Sequence, residues 1–209
     1  MKIYSIFRSL QGEGLTIGQP TVFIRTSGCP LRCTYCDTAK ALEEGKEMSL
    51  EDIVEAVEVY GTRHVCLTGG EPLAQDDAYR LIQRLLDSRH VVIVETSGAI
   101  PIDEMPCDER LSISMDIKCP SSGESDKMIW ENIELLGPTD QLKFVIGDVE
   151  DYEFAKDTVR KHTPMCEVIF TPVGGTELRG LAEDVLRDEI DVRVLPQLHK
   201  LIWGDEDDR

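Results

Sequence analysis

Apolar and polar positions along this 209-residue chain follow two alternating rhythms. Lys2-Ile3-Tyr4-Ser5-Ile6-Phe7 alternates with a period of two, as a half-buried strand does, and Thr21 to Thr26 forms a more continuous apolar run that predicts a buried strand. Met48 to Val57 then carries apolar residues at helical spacing, with Ser49 as a candidate N-cap and Glu51 and Asp52 in the first turn. His64 to Thr68 is rich in β-formers and runs into the glycine loop Gly69-Gly70-Glu71-Pro72, after which Asp77 to Leu86 returns to helical periodicity. The unit repeats. Val91 to Glu95 closes on Thr96-Ser97-Gly98, and Leu111 to Asp116 leads to Lys118-Cys119-Pro120-Ser121-Ser122-Gly123. Further along, the pattern predicts helices over 130–136, 150–162 and 182–188, strands over 141–146 and 167–170, and a last strand-like run from Asp191 to Leu195 before Pro196-Gln197-Leu198-His199.

Apolar strands alternating with amphipathic helices predict an α/β protein, its parallel sheet covered by helices through right-handed crossovers. About six or seven repeats suit either an open doubly wound sheet or a partial (β/α) barrel. In both architectures functional groups collect beyond the C-terminal ends of the strands. The segment after Thr26, Thr68-Gly69-Gly70-Glu71, Thr96-Ser97-Gly98, Asp116 with Lys118, and Gln197 with His199 all stand at such ends, so one cleft can hold them. No low-complexity linker divides the chain, and one domain over residues 1–209 is expected.

Composition narrows the chemistry. Forty acidic against twenty-two basic residues give a net charge of −18, which repels nucleic-acid phosphates and reads as a solvated, self-repelling surface. The sequence has no signal-peptide pattern and nothing near the roughly 20 apolar residues that span a bilayer, so a soluble, cytoplasmic protein without a membrane partner is expected. Seven unevenly spaced cysteines argue against a secreted disulfide framework and for metal or redox use.

Three of those cysteines, Cys29, Cys33 and Cys36, fall within eight residues. Thiolates this close can converge on a soft metal centre, yet three ligands are one fewer than a closed zinc site or an all-cysteine cluster takes. An iron–sulfur centre with an open coordination position fits, and so does zinc completed by Cys66, Cys107, Cys119, Cys166 or a histidine; the scattered four otherwise read as buried, inert thiols. Two other features carry chemistry. Gly12 and Gly14 bracket Glu13, either presenting the carboxylate to a ligand or forming a surface turn. Arg25 lies on an otherwise apolar strand, where burial without an anion is costly.

Beyond spacing, the chain resembles the radical S-adenosylmethionine superfamily. It carries CxxxCxxC with the aromatic Tyr35 before Cys36, and Gly69-Gly70-Glu71-Pro72 follows after the next strand. Within that superfamily it is similar to the 7-carboxy-7-deazaguanine synthase family of queuosine and archaeosine biosynthesis. That similarity runs through Phe7 to Gly14, Phe23-Ile24-Arg25, Cys36-Asp37-Thr38, Glu95 to Gly98, Asp116 to Pro120 and Pro196 to Lys200. The resemblance implies a radical S-adenosylmethionine core, a partial barrel of about six parallel strands. It implies a lyase that contracts 6-carboxy-5,6,7,8-tetrahydropterin to 7-carboxy-7-deazaguanine with loss of ammonia. Cys29, Cys33 and Cys36 would hold a [4Fe–4S] cluster, the loop spanning 29–36, and Thr38 would bind Mg²⁺. Tyr35, Cys36, Asp37, Gly70, Glu71, Ser97, Ser114, Met115 and Asp116 would contact S-adenosylmethionine. Leu10, Gln11, Gly12, Glu13, Arg25, Thr68 and His199 would hold the pterin, although a histidine in a late loop is more often structural. A homodimer and a flavodoxin- or ferredoxin-type electron donor are also implied. The acidic tail, residues 204–209, is left without an assigned role.

Overall fold

A computed structural model describes residues 1–204, 206 and 208; Asp205, Asp207 and Arg209 of the acidic tail lie outside the described residues. Its centre is a nine-stranded sheet. In chain order the strands are β1 (Lys2–Leu10), β2 (Pro20–Thr26), β3 (Lys46–Glu47), β4 (His64–Gly69), β5 (Val91–Thr96), β6 (Leu111–Ile117), β7 (Gln141–Ile146), β8 (Glu167–Pro172) and β9 (Arg193–Val194). They are ordered β3-β1-β2-β4-β5-β6-β7-β8-β9. From β2 through β9 along this order every pairing is parallel, which gives seven parallel strands, the two-residue β9 being the last.

One expectation is corrected at the first strand. β1 is antiparallel to β2, with Leu10 opposite Pro20 and Ile3 near Thr26, and β3 adds antiparallel to its other side. Only nine residues separate β1 from β2, too few for the dozen or more that a parallel crossover needs.

Helices α1 (Leu50–Glu58), α2 (Ala78–Asp87), α4 (Val149–His162) and α5 (Leu178–Arg187) follow the predicted spans to within a few residues. Ser49 caps α1 by accepting the amide of Asp52. The predicted 130–136 helix shrinks to α3 (Asn132–Leu135), and Leu198–Trp203 forms a short helix, α6, that periodicity missed because it spans fewer than two turns. No helix bridges β5 and β6. Asn132 instead supports that connection, its side chain donating to the carbonyls of Gly98 and Ile100 and accepting from Ile102 N–H.

Because side chains alternate across a strand, the sheet sorts its residues by face. Val22, Ile24, Val65, Leu67, Val92, Val94, Ile113, Met115, Leu142 and Phe144 join the main core with helix residues such as Ile53, Leu81 and Leu85. On the opposite face Phe23, Cys66 and Ile93 form a small apolar cluster against Phe7. Further along β2, β4 and β5 come Arg25, Thr68 and Glu95, and the neighbouring β6 and β7 add Ser114, Asp116 and Lys143. That polar run lines the site.

The sheet does not close strand to strand, but its two sides meet through a loop. Residues 11–19, pinched by Gln11 N–H to Gln19 O and Gly18 N–H to Gln11 O, both at 2.8 Å, lie across the polar face. Leu15 N–H donates to Gln141 Oε1 at 2.7 Å, and Leu198 N–H donates to the Gly12 carbonyl at 2.8 Å. A partial barrel results, with residues 11–19 spanning its open side.

Candidate active site

The polar face, residues 11–13, the cysteine loop and the segment around His199 enclose one cavity of about 680 Å³. Cys29, Cys33 and Cys36 line it together with Tyr35, Asp37, Thr38, Gly70, Ser97, Ser114, Asp116, Leu10, Gln11, Gly12, Glu13, Arg25, Thr68 and His199. Strands far apart in sequence have thus delivered nearly all of the expected residues to one place.

Backbone anchors hold the cysteine loop. Thr34 N–H donates to Ser122 O at 3.0 Å, Thr34 Oγ1 to Ser121 O at 2.7 Å, and Arg32 N–H to Glu124 Oε1 at 2.8 Å. Ser121 is itself fixed, its amide donating to Asp151 Oδ1 on α4 at 2.9 Å. Cys29 and Cys33 are half-buried and Cys36 is exposed. Burial raises the Cys29 and Cys33 thiols, and the nearby Lys118 charge works against that rise. Among the described residues no three His, Cys, Asp or Glu side chains are grouped for a single metal ion. The donor set of three thiols, with Lys118 nearby, fits a [4Fe–4S] centre.

Polar atoms next to the loop have unmet valences. Asp116 Oδ2 takes Lys118 Nζ at 3.0 Å while Oδ1 is buried with no partner, and the Tyr35 hydroxyl is likewise buried and unpaired. Burial, with Asp116 beside it, pushes that phenol above its usual range. Buried polar groups are ordinarily satisfied, so these atoms suit a polar ligand such as S-adenosylmethionine. Gly70 allows the backbone approach this needs: a Cβ there would stand 2.0 Å from the Gly28 carbonyl oxygen. Glycine is needed to pack the second loop against the first.

One expected cofactor contact, Glu71, is corrected, and a second, Met115, is limited to its backbone. Glu71 is fully buried and does not line the cavity. Its carboxylate accepts from Leu73 N–H, Thr96 Oγ1, Ser97 N–H and Ser97 Oγ at 3.1, 2.9, 2.7 and 2.5 Å. With four donors already in place it binds the ends of β4 and β5 together, and the Ser97 hydroxyl is turned toward it. Met115 falls on the opposite register, its side chain in the main core. Only its backbone is at the level of the site. Among the scattered cysteines, Cys66, Cys119 and Cys166 are buried as expected, whereas Cys107 is exposed.

Beside the end of the cysteine loop, Arg25 donates from Nη1 to Thr38 Oγ1 at 3.2 Å and sits over the Phe7 ring, 5.5 Å from its centroid. Its Nε is buried without a hydrogen-bond partner, Asp208 Oδ1 being 3.6 Å away. An unmet guanidinium donor beside the Thr38 hydroxyl is an arrangement for a carboxylate. Thr38 also donates to Asp37 Oδ1 at 2.8 Å, so oxygen ligands of the kind Mg²⁺ prefers stand at the same rim.

On the strands next to Arg25, which is in register with Thr68, Gln11 Nε2 reaches Glu95 Oε1 at 3.3 Å and Thr68 Oγ1 donates to Glu95 Oε2 at 2.9 Å. Glu13 forms an ion pair with Lys143 and accepts Gln197 Nε2 at 2.7 Å. Burial pushes the Glu13 carboxyl upward, but the charge and hydrogen bond of Lys143, with Gln197, outweigh it and hold the group at about 2. His199 packs on Gly12, where a Cβ would come within 2.0 Å of Nδ1. Arg25, Lys118 and Lys143 therefore face Glu13, Glu95 and Asp116, and the charges of this wall balance inside a strongly acidic protein.

Glu95, Lys118, Lys143 and Gln197 were not among the expected ligands. The signal for Lys143 and Glu95 was present in the pattern that singled out Arg25: each is a lone charge on an apolar strand, at the register that faces the cavity.

Residues 23–117 match the radical SAM superfamily. Over 206 residues the chain is 42% identical to the 7-carboxy-7-deazaguanine synthase of Methanospirillum hungatei, covering 97% of this chain and 85% of the relative. The synthase of Thermoplasma acidophilum is 38% identical over 98% of both chains. The crystal structure of QueE from Escherichia coli superposes with a TM-score of 0.72 at 25% identity, covering 92% of each chain. Similarity of this extent, together with three cysteines, Arg25 and Glu13 lining one cavity, establishes that the chain belongs to the 7-carboxy-7-deazaguanine synthase family of the radical SAM superfamily.

Proposed function

We propose that the protein converts 6-carboxy-5,6,7,8-tetrahydropterin to 7-carboxy-7-deazaguanine and ammonia, a ring contraction in queuosine or archaeosine biosynthesis. The observation that carries this reading is the joining, in one cavity, of the three-cysteine loop with Arg25, Glu13 and Gln11. Held by Cys29, Cys33 and Cys36, the cluster would pass an electron from the external reductant to S-adenosylmethionine and so supply methionine and a 5′-deoxyadenosyl radical able to take hydrogen from C6; because the conversion loses only ammonia, a hydrogen has to be returned to the contracted ring. The rest is positioning by the protein.

Arg25 anchors the substrate carboxylate, and Thr38 beside it would offer a hydroxyl to Mg²⁺. Gln11 and Glu13 receive the amide-like edge of the ring, with Thr68 and His199 against its flanks and Leu10 and Gly12 shaping the wall. Tyr35, Asp37, Gly70, Ser114 and Asp116 contact S-adenosylmethionine. With Arg25 hydrogen-bonded to Thr38 at the end of the cysteine loop, this division would hold C6, which bears the carboxylate, close to that loop. Residues 11–19, crossing the open side of the sheet, exclude water from it. From the family we also infer a homodimer, a flavodoxin- or ferredoxin-type donor and a cytoplasmic location; no helix among the described residues is long and apolar enough to cross a membrane.

Anaerobic incubation with reductant, S-adenosylmethionine, Mg²⁺ and the pterin tests the reading. Protein carrying about four irons and matching sulfide per chain yields a deazaguanine product. If 5′-deoxyadenosine accumulates with the pterin untouched, the substrate assignment fails; stoichiometric zinc without sulfide removes the whole chemistry.

A further inference from the structure

Lys143 has no part in the scheme above, yet it is the most enclosed cation of the polar face. Its side chain is 6% exposed, against 15% for Lys118 and 20% for Arg25. It projects from β7 onto Glu13, which the loop after β1 supplies, while Gln197 approaches from the segment entering α6. Three parts of the chain meet on one carboxylate. Lys143 takes Oε2 and Gln197 takes Oε1, so each oxygen is held by one donor and keeps acceptor capacity for another.

A carboxylate held at both oxygens cannot rotate, and its remaining acceptor sites match two adjacent N–H groups. The aminopyrimidinone edge of a pterin presents such a pair, the ring N–H and the exocyclic amine. If the carboxyl were protonated, one oxygen would become a donor and the match would be lost. Burial favours that neutral form, and Lys143, with Gln197 and His199, opposes it. Glu95 on β5 and Asp116 on β6 add negative charge near the pair, Lys118 on β6 and His199 on α6 oppose it, and burial itself disfavours the anion.

We propose that Lys143 is a positioning residue for the substrate, holding the Glu13 carboxylate turned so that it receives the paired N–H groups of the pterin edge. The inference rests on the pterin reading above. It differs from a purely structural ion pair in what it demands of pH, because Lys143 keeps Glu13 charged through the whole working range.

The test uses the reconstituted holoenzyme as wild type, Lys143→Met, Lys143→Arg, Glu13→Gln and the Glu13→Gln/Lys143→Met double variant. KM is measured for the pterin and for S-adenosylmethionine between pH 6 and 9, alongside equilibrium binding of fluorescent 6-carboxypterin. Wild type should give a pterin KM independent of pH. In Lys143→Met the pterin KM and the 6-carboxypterin Kd should rise at least tenfold at pH 7 and fall as pH increases, with the S-adenosylmethionine KM within twofold. Lys143→Arg should restore the flat profile, and the double variant should be no worse than Glu13→Gln. A pterin KM within twofold of wild type and a flat profile in Lys143→Met would overturn the inference. So would parallel losses for both ligands at every pH in the Met and Arg variants, the mark of a structural defect. Wild-type protein that leaves the pterin unchanged would overturn the substrate reading and this inference with it, whereas wild-type turnover with an unaffected Lys143→Met removes the inference alone.

Discussion

Glu71 and Glu13 show how two carboxylates in neighbouring loops come to different tasks. Glu71 has four donors and no access to the cavity, so replacing it leaves buried N–H and O–H groups unpaired. Glu71→Ala should lower unfolding free energy by about 2–4 kcal/mol in urea titrations, and Glu71→Gln by somewhat less. A stability within 0.5 kcal/mol of wild type, the scatter of ordinary surface substitutions, combined with a raised S-adenosylmethionine KM would return Glu71 to the ligand set. Glu13 is instead visible in acid. Its carboxyl falls from the usual 4.5 to about 2 on folding, so the ion pair's contribution is complete above the unfolded value and drains away as pH falls from about 4.5 toward 2. Urea unfolding of wild type and Glu13→Gln should therefore differ most near pH 7 and converge below pH 4. A constant gap would contradict the depressed carboxyl. Sequence could present both residues as glycine-flanked acids, but not separate them, because the difference lies in which donors the fold brings to each.

At the level of elements, the cysteine loop owes its shape to Ser121, Ser122, Glu124 and, behind them, Asp151. None of these bonds involves a thiol side chain. Cys33→Ala should then lose iron and activity while far-UV circular dichroism and the urea midpoint stay near wild type; collapse of the fold on that substitution would show that the cluster organises the loop. Most elements were legible in the pattern of apolar residues, since strands β2 and β4 to β8 and helices α1, α2, α4 and α5 bury one continuous core. What escaped was set by connection length and by short range. β1 turns back antiparallel across a nine-residue link, α6 is too brief to show periodicity, α3 is shorter than its predicted span, and the β5–β6 connection is held by the Asn132 amide rather than by a helix.

For the molecule as a whole, the sheet works as a sorter of chemistry by face. One side is apolar and covered by helices; the other passes from Phe23, Cys66 and Ile93 to a balanced set of charges beneath the cysteine loop. That the strand ends gather one cleft could be read from the order of elements alone. The path of residues 11–19 could not, because Leu10 ends β1 at the entry side of β2 and the chain must cross the polar face to bring Gln11 to Glu95 and Glu13 to Lys143. The central claim is that this crossing sets C6 of the pterin against the adenosyl carbon. Turnover of substrate carrying deuterium at C6, with mass analysis of the 5′-deoxyadenosine, tests it directly. The account predicts one deuterium in the 5′-deoxyadenosine formed alongside deazaguanine; product formation with unlabelled 5′-deoxyadenosine would contradict it.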